Sequence, residues 1–391
     1  MTTTTAEERT SWLREAAASG EVHTVRLAWS DRLGAWRGKR LPVERFLDGP
    51  ESRMGFCDGM IVVDVNCDVI EGTPFSNFNT GYPDMYLRPR AETIRPVGWV
   101  PGEAFVLGTL ESHEGVPLEV APARVLDGVL ARLADSGVAV TARLTLSGRL
   151  MNSPTEGVLL LPDGTAQDRS RGDVLRPAVE GLTRSGVPVD FVTADRDGSF
   201  RLGLGPLPGA EAASSSVITK AALKEVAVLA GRQATFMTRL PGTERCSHLR
   251  VDLRLEGIES LDPGSVAARV AAVRALLQPS MNAVKAGPPP VSVAGDRIVV
   301  EASSEADPFT ATAAILAAAG AAGAAVDGAA RADAVTRTLD AATDALESCS
   351  WAAEWLGSPF IENAVPLLRH ESGLFDSVVT DWETDRYWSA S

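Results

Sequence analysis

Alternating apolar and polar residues, in segments separated by helical patterns, constrain the fold of this chain most strongly. Residues 22–30 and 249–255 alternate with a period of two, which is typical of strands with one buried face. Residues 125–136 instead place their apolar side chains on one face of a helix. This mixture would suit a doubly wound α/β fold. That fold normally binds phosphate with a glycine-rich loop after a strand, and the chain has neither a GxGxxG motif nor a P-loop.

The order of the predicted elements suggests two domains. A helix at 10–19 and strands at 22–30, 60–65 and 104–110 fit a small mixed sheet within residues 1–112. A linker rich in Glu, Gly and Pro follows at 111–122, so a second domain is predicted over residues 113–391. Its predicted helices are 125–136, 173–185, 217–230, 263–277, an alanine-rich stretch at 311–346 broken near Gly328, and 374–388. Its predicted strands are 138–146, 187–193, 249–255 and 297–302.

Composition excludes several classes of function. The net charge of −14 argues against a general nucleic-acid-binding role, which needs excess Lys and Arg. The four cysteines and four histidines are scattered, so neither a disulfide framework nor a zinc site is predicted. The first residues lack a secretory pattern, and the apolar stretch at 311–326 is too short and weakly hydrophobic to cross a bilayer. We therefore expect a cytoplasmic protein that does not bind membranes.

Five stretches, taken in order along the chain, resemble signatures of the glutamine synthetase family. They are residues 38–42, 82–101, 218–237, 307–315 and 379–383. The most similar branch is that of bacterial γ-glutamyl-amine and polyamine ligases. The resemblance implies an α+β fold, with a small N-terminal β-grasp domain and a large domain in which flanking helices surround an antiparallel half-barrel sheet. It also implies hexameric rings, often stacked into dodecamers.

Members of this family use ATP and divalent metals to join glutamate to an amine, because the phosphoryl transfer brings several negative charges together. At the positions of their metal-binding Glu and His residues this sequence has other residue types. These positions are Arg143, Thr145, Ala194, Arg201, Arg250 and Val299. The resemblance also implies that the family's arginine-rich loop is deleted after Lys285. We therefore predict no metal site, and use of neither ATP nor magnesium.

Arginines at or near these positions allow two interpretations. Arg143, Arg201, Arg250, Arg254 and Arg297 could line a pocket for an anionic ligand. Alternatively, they could form internal ion pairs with Asp252, Asp296 or Glu301. Cys246 and His248 point to the same side of a strand, so with Asp252 they are candidates for acid–base chemistry, although a half-buried pair without catalytic function is the simpler interpretation.

Three functions remain open from the sequence. The first is a pseudoenzyme without ligase activity that acts as a scaffold or regulatory subunit, either in a homo-oligomeric ring or in a hetero-oligomer with an active paralogue. The second is a metal-independent enzyme of specialised metabolism that binds an anionic small molecule in an Arg-lined pocket. The third is an active glutamate–amine ligase with relocated ligands at Asp195, Asp197, Asp252 and Glu301.

Overall fold

The computed structural model describes residues 5–49, 52–153, 156–157, 174–241, 247–321 and 338–388. Two β-sheets organise this part of the chain, one formed by N-terminal segments and the other by central segments. Helices contact the strands of each sheet. No helix in the described ranges is long and apolar enough to cross a membrane.

The N-terminal sheet follows helix α1 (Ala6–Ala18), whose capping box joins Thr5 and Glu8. Its strands are β1 (Val22–Ser30), β2 (Trp36–Pro42), β3 (Met54–Cys57), β4 (Asp84–Pro89), β5 (Arg95–Pro96) and β6 (Gly102–Glu111), with helix α2 (Val43–Leu47) after β2. The order is β2-β1-β6-β4-β3, with β5 paired to β6. The central β1 and β6 are parallel, whereas the other pairs are antiparallel.

The larger sheet is antiparallel and contains nine strands among the described residues. They are β7 (Ala139–Ser153), β8 (Glu156–Gly157), β9 (Val189–Ala194), β10 (Ser199–Leu204), β11 (Leu207–Pro208), β12 (Gln233–Thr235), β13 (Leu249–Glu256), β14 (Val291–Ala294) and β15 (Arg297–Ala302). The main order is β14-β15-β13-β7-β10-β9, and β8, β11 and β12 pair with β7. The long strand β7 therefore joins all parts of this sheet.

Eleven helices accompany this sheet among the described residues. They are α3 (Pro122–Asp135), α4 (Leu175–Arg184), α5 (Gly209–Leu229), α6 (Pro263–Ala272), α7 (Arg274–Leu277), α8 (Met281–Val284), α9 (Pro308–Gly320), α10 (Leu339–Glu347), α11 (Ser350–Leu356), α12 (Ser358–Asp376) and α13 (Asp381–Tyr387). Five of them, α3, α4, α5, α6 and α9, contact its strands directly. Strand β13 alternates strictly, with Leu249, Val251, Leu253 and Leu255 buried. Because its other side chains are polar, the opposite face of the sheet remains open.

Several predicted elements are confirmed and others are wrong. The bounds of β1 and β15 agree with the prediction. The predicted strand at 60–65 is wrong: a 3₁₀ turn covers Asp58–Ile61, and the Asp64 carboxylate then accepts hydrogen bonds from the backbone N–H groups of Asn66 and Asp68. The predicted helix at 263–277 divides into α6 and α7. The predicted break near Gly328 lies outside the described residues.

Candidate functional site

The open face of the larger sheet brings most of the sequence candidates together. Three neighbouring strands, β7, β13 and β15, place Arg250 beside Thr145 and Glu301, and Asp252 beside Arg143 and Val299. Arg254 lies opposite Arg297 on the next strand. Paired residues in a sheet project to the same side, so these side chains form one polar surface on the face away from the core.

Carboxylates pair with four of the five candidate arginines. Arg297 contacts both oxygens of Asp252, with Nε 2.7 Å from Oδ1. Arg254 lies 3.0 Å from Asp296, Arg143 lies 3.3 Å from Asp190, and Arg250 lies 3.6 Å from Glu301. The hydrogen bond to Asp252 raises the pKa of Arg297, and that to Asp296 raises the pKa of Arg254. The ion-pair interpretation therefore describes most of this face.

Strands β9 and β10 separate two residues that the resemblance placed together. Arg201 is exposed and pairs with Ser147 and Thr193, so it belongs to the open face. Ala194 instead pairs with the buried Phe200 and packs against the core. These two positions therefore lie on opposite sides of the sheet.

The candidate acid–base residues are only partly described. Cys246 lies outside the described residues. The Nε2 atom of half-buried His248 is 3.2 Å from the Oγ atom of Ser147, which is buried. Asp252 is committed to Arg297. Sequence reasoning missed Ser147, because only the pairing of β7 with the start of β13 brings it to His248.

The carboxylates present do not fit a magnesium centre. Asp195 and Asp197 lie in the turn between β9 and β10, where Arg149 donates from Nε to the Asp197 carbonyl at 2.7 Å. Asp252 and Glu301 are on other strands, each beside an arginine. Within the described ranges, no group of three or more His, Cys, Asp or Glu residues could hold a metal ion. Hard cations need several free oxygen ligands at one point, which this surface does not provide.

A basic cleft of about 1360 Å³ lies between the β1–β2 turn and the helices. Its basic side chains are Arg32, Arg37, Lys220, Lys224, Arg239 and Lys285, and its acidic side chains are Asp31, Glu305 and Glu371. Lys220 donates to the carbonyl oxygens of Leu33 at 2.8 Å and Ser304 at 2.9 Å. Burial lowers the pKa of Lys220 to about 8, and it also lowers the pKa of Lys224.

Sequence reasoning missed this cleft because its residues come from distant segments. The signal available in the sequence was Lys220 and Lys224, which are four residues apart and therefore share one face of α5. Lys285, after which the family loop was expected, lies at the cleft with its Nζ atom 3.7 Å from the centre of the Phe375 ring. Strand β14 begins shortly beyond it.

The curated proteins that this chain resembles are glutamine synthetase-like ligases. No family model matches the chain. It is 32% identical over 126 residues to the γ-glutamylethanolamide synthetase GlnA4 of Streptomyces coelicolor, and 23% identical over 246 residues to a glutamate–isopropylamine ligase of a Pseudomonas species. It is 24% identical over 241 residues to type-1 glutamine synthetase 2 of Dictyostelium discoideum. The chain is a homologue of glutamine synthetase-like ligases.

These sequence matches are partial, whereas the structural matches are nearly complete. The three alignments cover 32%, 58% and 57% of this chain, and 27%, 53% and 46% of the respective relatives. The structure of ligand-free GmaS superposes with a TM-score of 0.76 at 19% identity, covering 97% of this chain and 99% of that one. The crystal structure of a novel glutamine synthase homologue superposes with a TM-score of 0.76 at 19% identity, covering 94% of this chain and 98% of that one. The predicted α+β, glutamine synthetase-like fold is confirmed.

Proposed function

We propose that this homologue has lost metal-dependent ligase activity and acts as a scaffold or regulatory subunit. The observation that supports this most directly is the two-point contact between Arg297 and Asp252 on the open face. A carboxylate that accepts two guanidinium hydrogen bonds has few lone pairs left for a metal. The residue types at the family's metal positions point the same way.

The chemistry explains why these changes matter. Transfer of a phosphoryl group to a carboxylate places several anionic oxygens within a few ångströms, and divalent metals offset that repulsion while aligning the reactants. An exposed guanidinium group supplies one positive charge and no open coordination position. Arg143, Arg250 and Arg297 could attract an anion, but they cannot replace a metal that bridges two phosphates.

An oligomeric role accords with the intact fold. The core of the larger sheet is continuous with the surrounding helices, and strands β7, β13 and β15 keep an apolar face. A chain with an intact core can still present the surfaces through which subunits join, even though its open face lacks metal ligands. We propose a homo-oligomeric ring, or a mixed ring with an active paralogue.

The test is Mg²⁺-dependent ADP release with ATP, glutamate and ammonium, ethanolamine or isopropylamine as the amine. We expect no release above background, while the Pseudomonas glutamate–isopropylamine ligase, assayed in parallel, provides the positive control. Release that depends on glutamate and amine, and that is lost in Asp252→Ala and Glu301→Ala, would establish the alternative of a ligase with relocated ligands. Light scattering after size-exclusion chromatography measures the assembly, and a monomer at all concentrations, with and without the paralogue, would contradict the ring.

The basic cleft favours a second candidate, a metal-independent enzyme that binds an anionic small molecule. Lys224 lines the cleft with its side chain exposed, and its Nζ atom lies 5.9 Å from the centre of the Phe236 ring. An anion that enters the cleft would give this ammonium group a charged partner. Titration calorimetry with inorganic phosphate tests this candidate. Saturable binding that weakens in Lys224→Gln, but not in the Arg143→Gln control on the sheet face, would support it.

A further inference from the structure

Lysine is rare in this chain, yet most of its lysines meet in the basic cleft. Of the 37 Lys and Arg residues only four are lysines, namely Lys39, Lys220, Lys224 and Lys285. All of them except Lys39 line the cleft. The guanidinium group is always charged, whereas an ammonium group loses its proton readily when it is buried and then becomes a nucleophile. The chain therefore gathers at one place the type of cation that can take part in amine chemistry.

Lys220 is the buried member of this group. It lies in the middle of α5 and is only 7% exposed. Its Nζ atom donates to the carbonyl oxygens of Leu33 and Ser304, and it lies 5.6 Å from the centre of the Phe236 ring. Leu33 and Phe236 also line the cleft, so the amine is held among residues of the cleft wall.

The two hydrogen bonds of Lys220 suit a neutral amine. An ammonium group has three N–H donors, whereas the neutral amine has two donors and one lone pair. The carbonyl groups of Leu33 and Ser304 accept both donors of the neutral form. These contacts hold the Nζ atom in place and leave its lone pair available to attack a carbonyl carbon.

Burial keeps part of this amine unprotonated near neutral pH. Loss of hydration lowers the pKa of Lys220 to about 8, and the charge of Lys224 acts in the same direction. The carboxylates of Asp31, Asp307 and Glu305 act in the opposite direction and do not cancel the effect of burial. At pH 7 about one amine in ten is then neutral, compared with about one in 3,000 at the ordinary pKa of 10.5. A desolvated lysine beside a second cation is the environment that activates amine nucleophiles.

The surroundings of Lys220 define the carbonyl compound that would react with it. Lys224 lies about one turn further along α5, and the Nζ atoms of the two lysines are 5.6 and 5.9 Å from the centre of the same Phe236 ring. A carboxylate attached directly to the reacting carbonyl group can pair with Lys224 while the carbonyl carbon meets Lys220. An α-keto acid has this arrangement, and the ring of Phe236 offers an apolar surface to its short side chain.

We propose that Lys220 forms a reversible imine with a short α-keto acid whose carboxylate pairs with Lys224. The Nζ lone pair bonds to the keto carbon as the carbonyl π pair moves to oxygen, and a proton moves from nitrogen to that oxygen. The resulting carbinolamine loses its hydroxyl group and the remaining nitrogen proton as water, which leaves a C=N bond. Protonation of the imine nitrogen then restores one donor to the carbonyl groups of Leu33 and Ser304. The inference rests on the second candidate function, anion binding in the cleft, and names its substrate class.

Reductive trapping tests the imine directly on the full chain. Pyruvate with cyanoborohydride at pH 7 converts the imine into a stable secondary amine, and peptide mass mapping shows which lysine carries the added carboxyethyl group. We expect the adduct at Lys220, with about tenfold less at Lys39, which is exposed on β2 and lies outside the cleft. Acetone, which lacks the carboxylate, should be trapped about tenfold less well than pyruvate.

Variants separate the covalent step from anion binding. Lys220→Arg keeps donors for the two carbonyl groups and should abolish the adduct, and the wild-type peptide map decides the proposal even if this variant is less stable. Lys224→Gln should reduce the preference for pyruvate over acetone about tenfold, whereas Lys39→Gln should leave it unchanged. The proposal is overturned by an adduct spread evenly over the lysines, or by none at Lys220. Phosphate binding that persists without an adduct would overturn the imine alone, whereas loss of both would also contradict the anion-binding candidate.

Discussion

Arg297 on β15 binds both carboxylate oxygens of Asp252 on the neighbouring strand β13. The Asp252 side chain is only 13% exposed, whereas that of Arg297 is 55% exposed. The arginine thus covers the carboxylate on the face where a ligase would need to assemble its metal ligands. This contact is the centre of a row of ion pairs that includes Arg250 with Glu301 and Arg254 with Asp296.

The first prediction concerns the strength of this pair. A double-mutant cycle with Asp252→Asn and Arg297→Gln should give a coupling of about 0.5–1 kcal/mol in urea unfolding, because solvent screens the exposed arginine. The same cycle on Arg369 and Glu347, both largely exposed, is the control and should give less. No measurable coupling between Asp252 and Arg297 would show that the arginine is free to engage a ligand.

The second prediction concerns Asp307, the N-cap of α9. It accepts hydrogen bonds from the Thr310 backbone at 2.8 Å and the Ser30 hydroxyl at 3.0 Å, and burial raises its pKa from 3.8 to about 6. The folded state therefore binds more protons than the unfolded state between these two values, so this group's contribution to stability falls as pH rises through that window.

Two matched variants test this prediction, and each replaces an aspartate at a helix N-cap with asparagine. Asp307→Asn keeps the acceptor oxygen without titrating, so its stability relative to wild type should rise by roughly 2–3 kcal/mol from pH 4 to pH 6. Asp262 caps α6 at the surface, and its hydrogen bond with Ser265 lowers its pKa. The stability of Asp262→Asn relative to wild type should therefore fall as pH rises, and this change should occur below pH 4. Urea unfolding measured from below pH 4 up to about pH 6 covers both variants. A pH-independent difference for Asp307→Asn would contradict the prediction.

The third prediction concerns Lys220, which connects the β1–β2 turn to the segment after β15. Lys220→Met leaves the carbonyl groups of Leu33 and Ser304 without this donor, so it should reduce the free energy of unfolding at pH 7 by about 1–3 kcal/mol. Lys224→Met on the same helix is the control and should cost less. Equal losses in thermal or urea unfolding would mean that the two carbonyl contacts contribute nothing.

The pKa of Lys220 adds a second measurement. It is lowered from 10.5 to about 8, so the unfolded state binds more protons between these values. Wild-type stability should therefore rise with pH across this window relative to Lys220→Met. The stability difference should be flat below about pH 8.

The fourth prediction concerns the close approach of Gly98 to helix α4. A Cβ atom at Gly98 would lie 2.1 Å from the carbonyl oxygen of Gly181, so Gly98→Ala should destabilise the protein by about 2 kcal/mol or more. Gly128→Ala, in α3, meets nothing within 4 Å and should stabilise it by about 0.5–1 kcal/mol. Thermal unfolding distinguishes the two, and similar shifts in the same direction would contradict the packing.

Local patterns predicted the elements that have one apolar face. Strands β1 and β15 and helix α3 were predictable because alternation or helical periodicity accompanies one-sided burial. Helix α5 begins at Gly209, well before its predicted start, because its first turns bury small residues such as Ala212, Ala213 and Ser216. A helix buried on several sides has no apolar stripe to recognise.

In the candidate site, too, some features could be predicted from the sequence and others depend on the tertiary structure. The residue types on β7, β13 and β15, and their alternation, were determined by the sequence alone, as was the lack of acidic residues at the positions expected to hold metal. Only the tertiary structure decided that Arg297 meets Asp252, that Ala194 and Arg201 lie on opposite faces, and that Lys220 reaches the carbonyl groups of Leu33 and Ser304. Side-chain direction along a strand follows from local backbone geometry, whereas partner choice depends on strand register and helix packing, which join segments far apart in the chain.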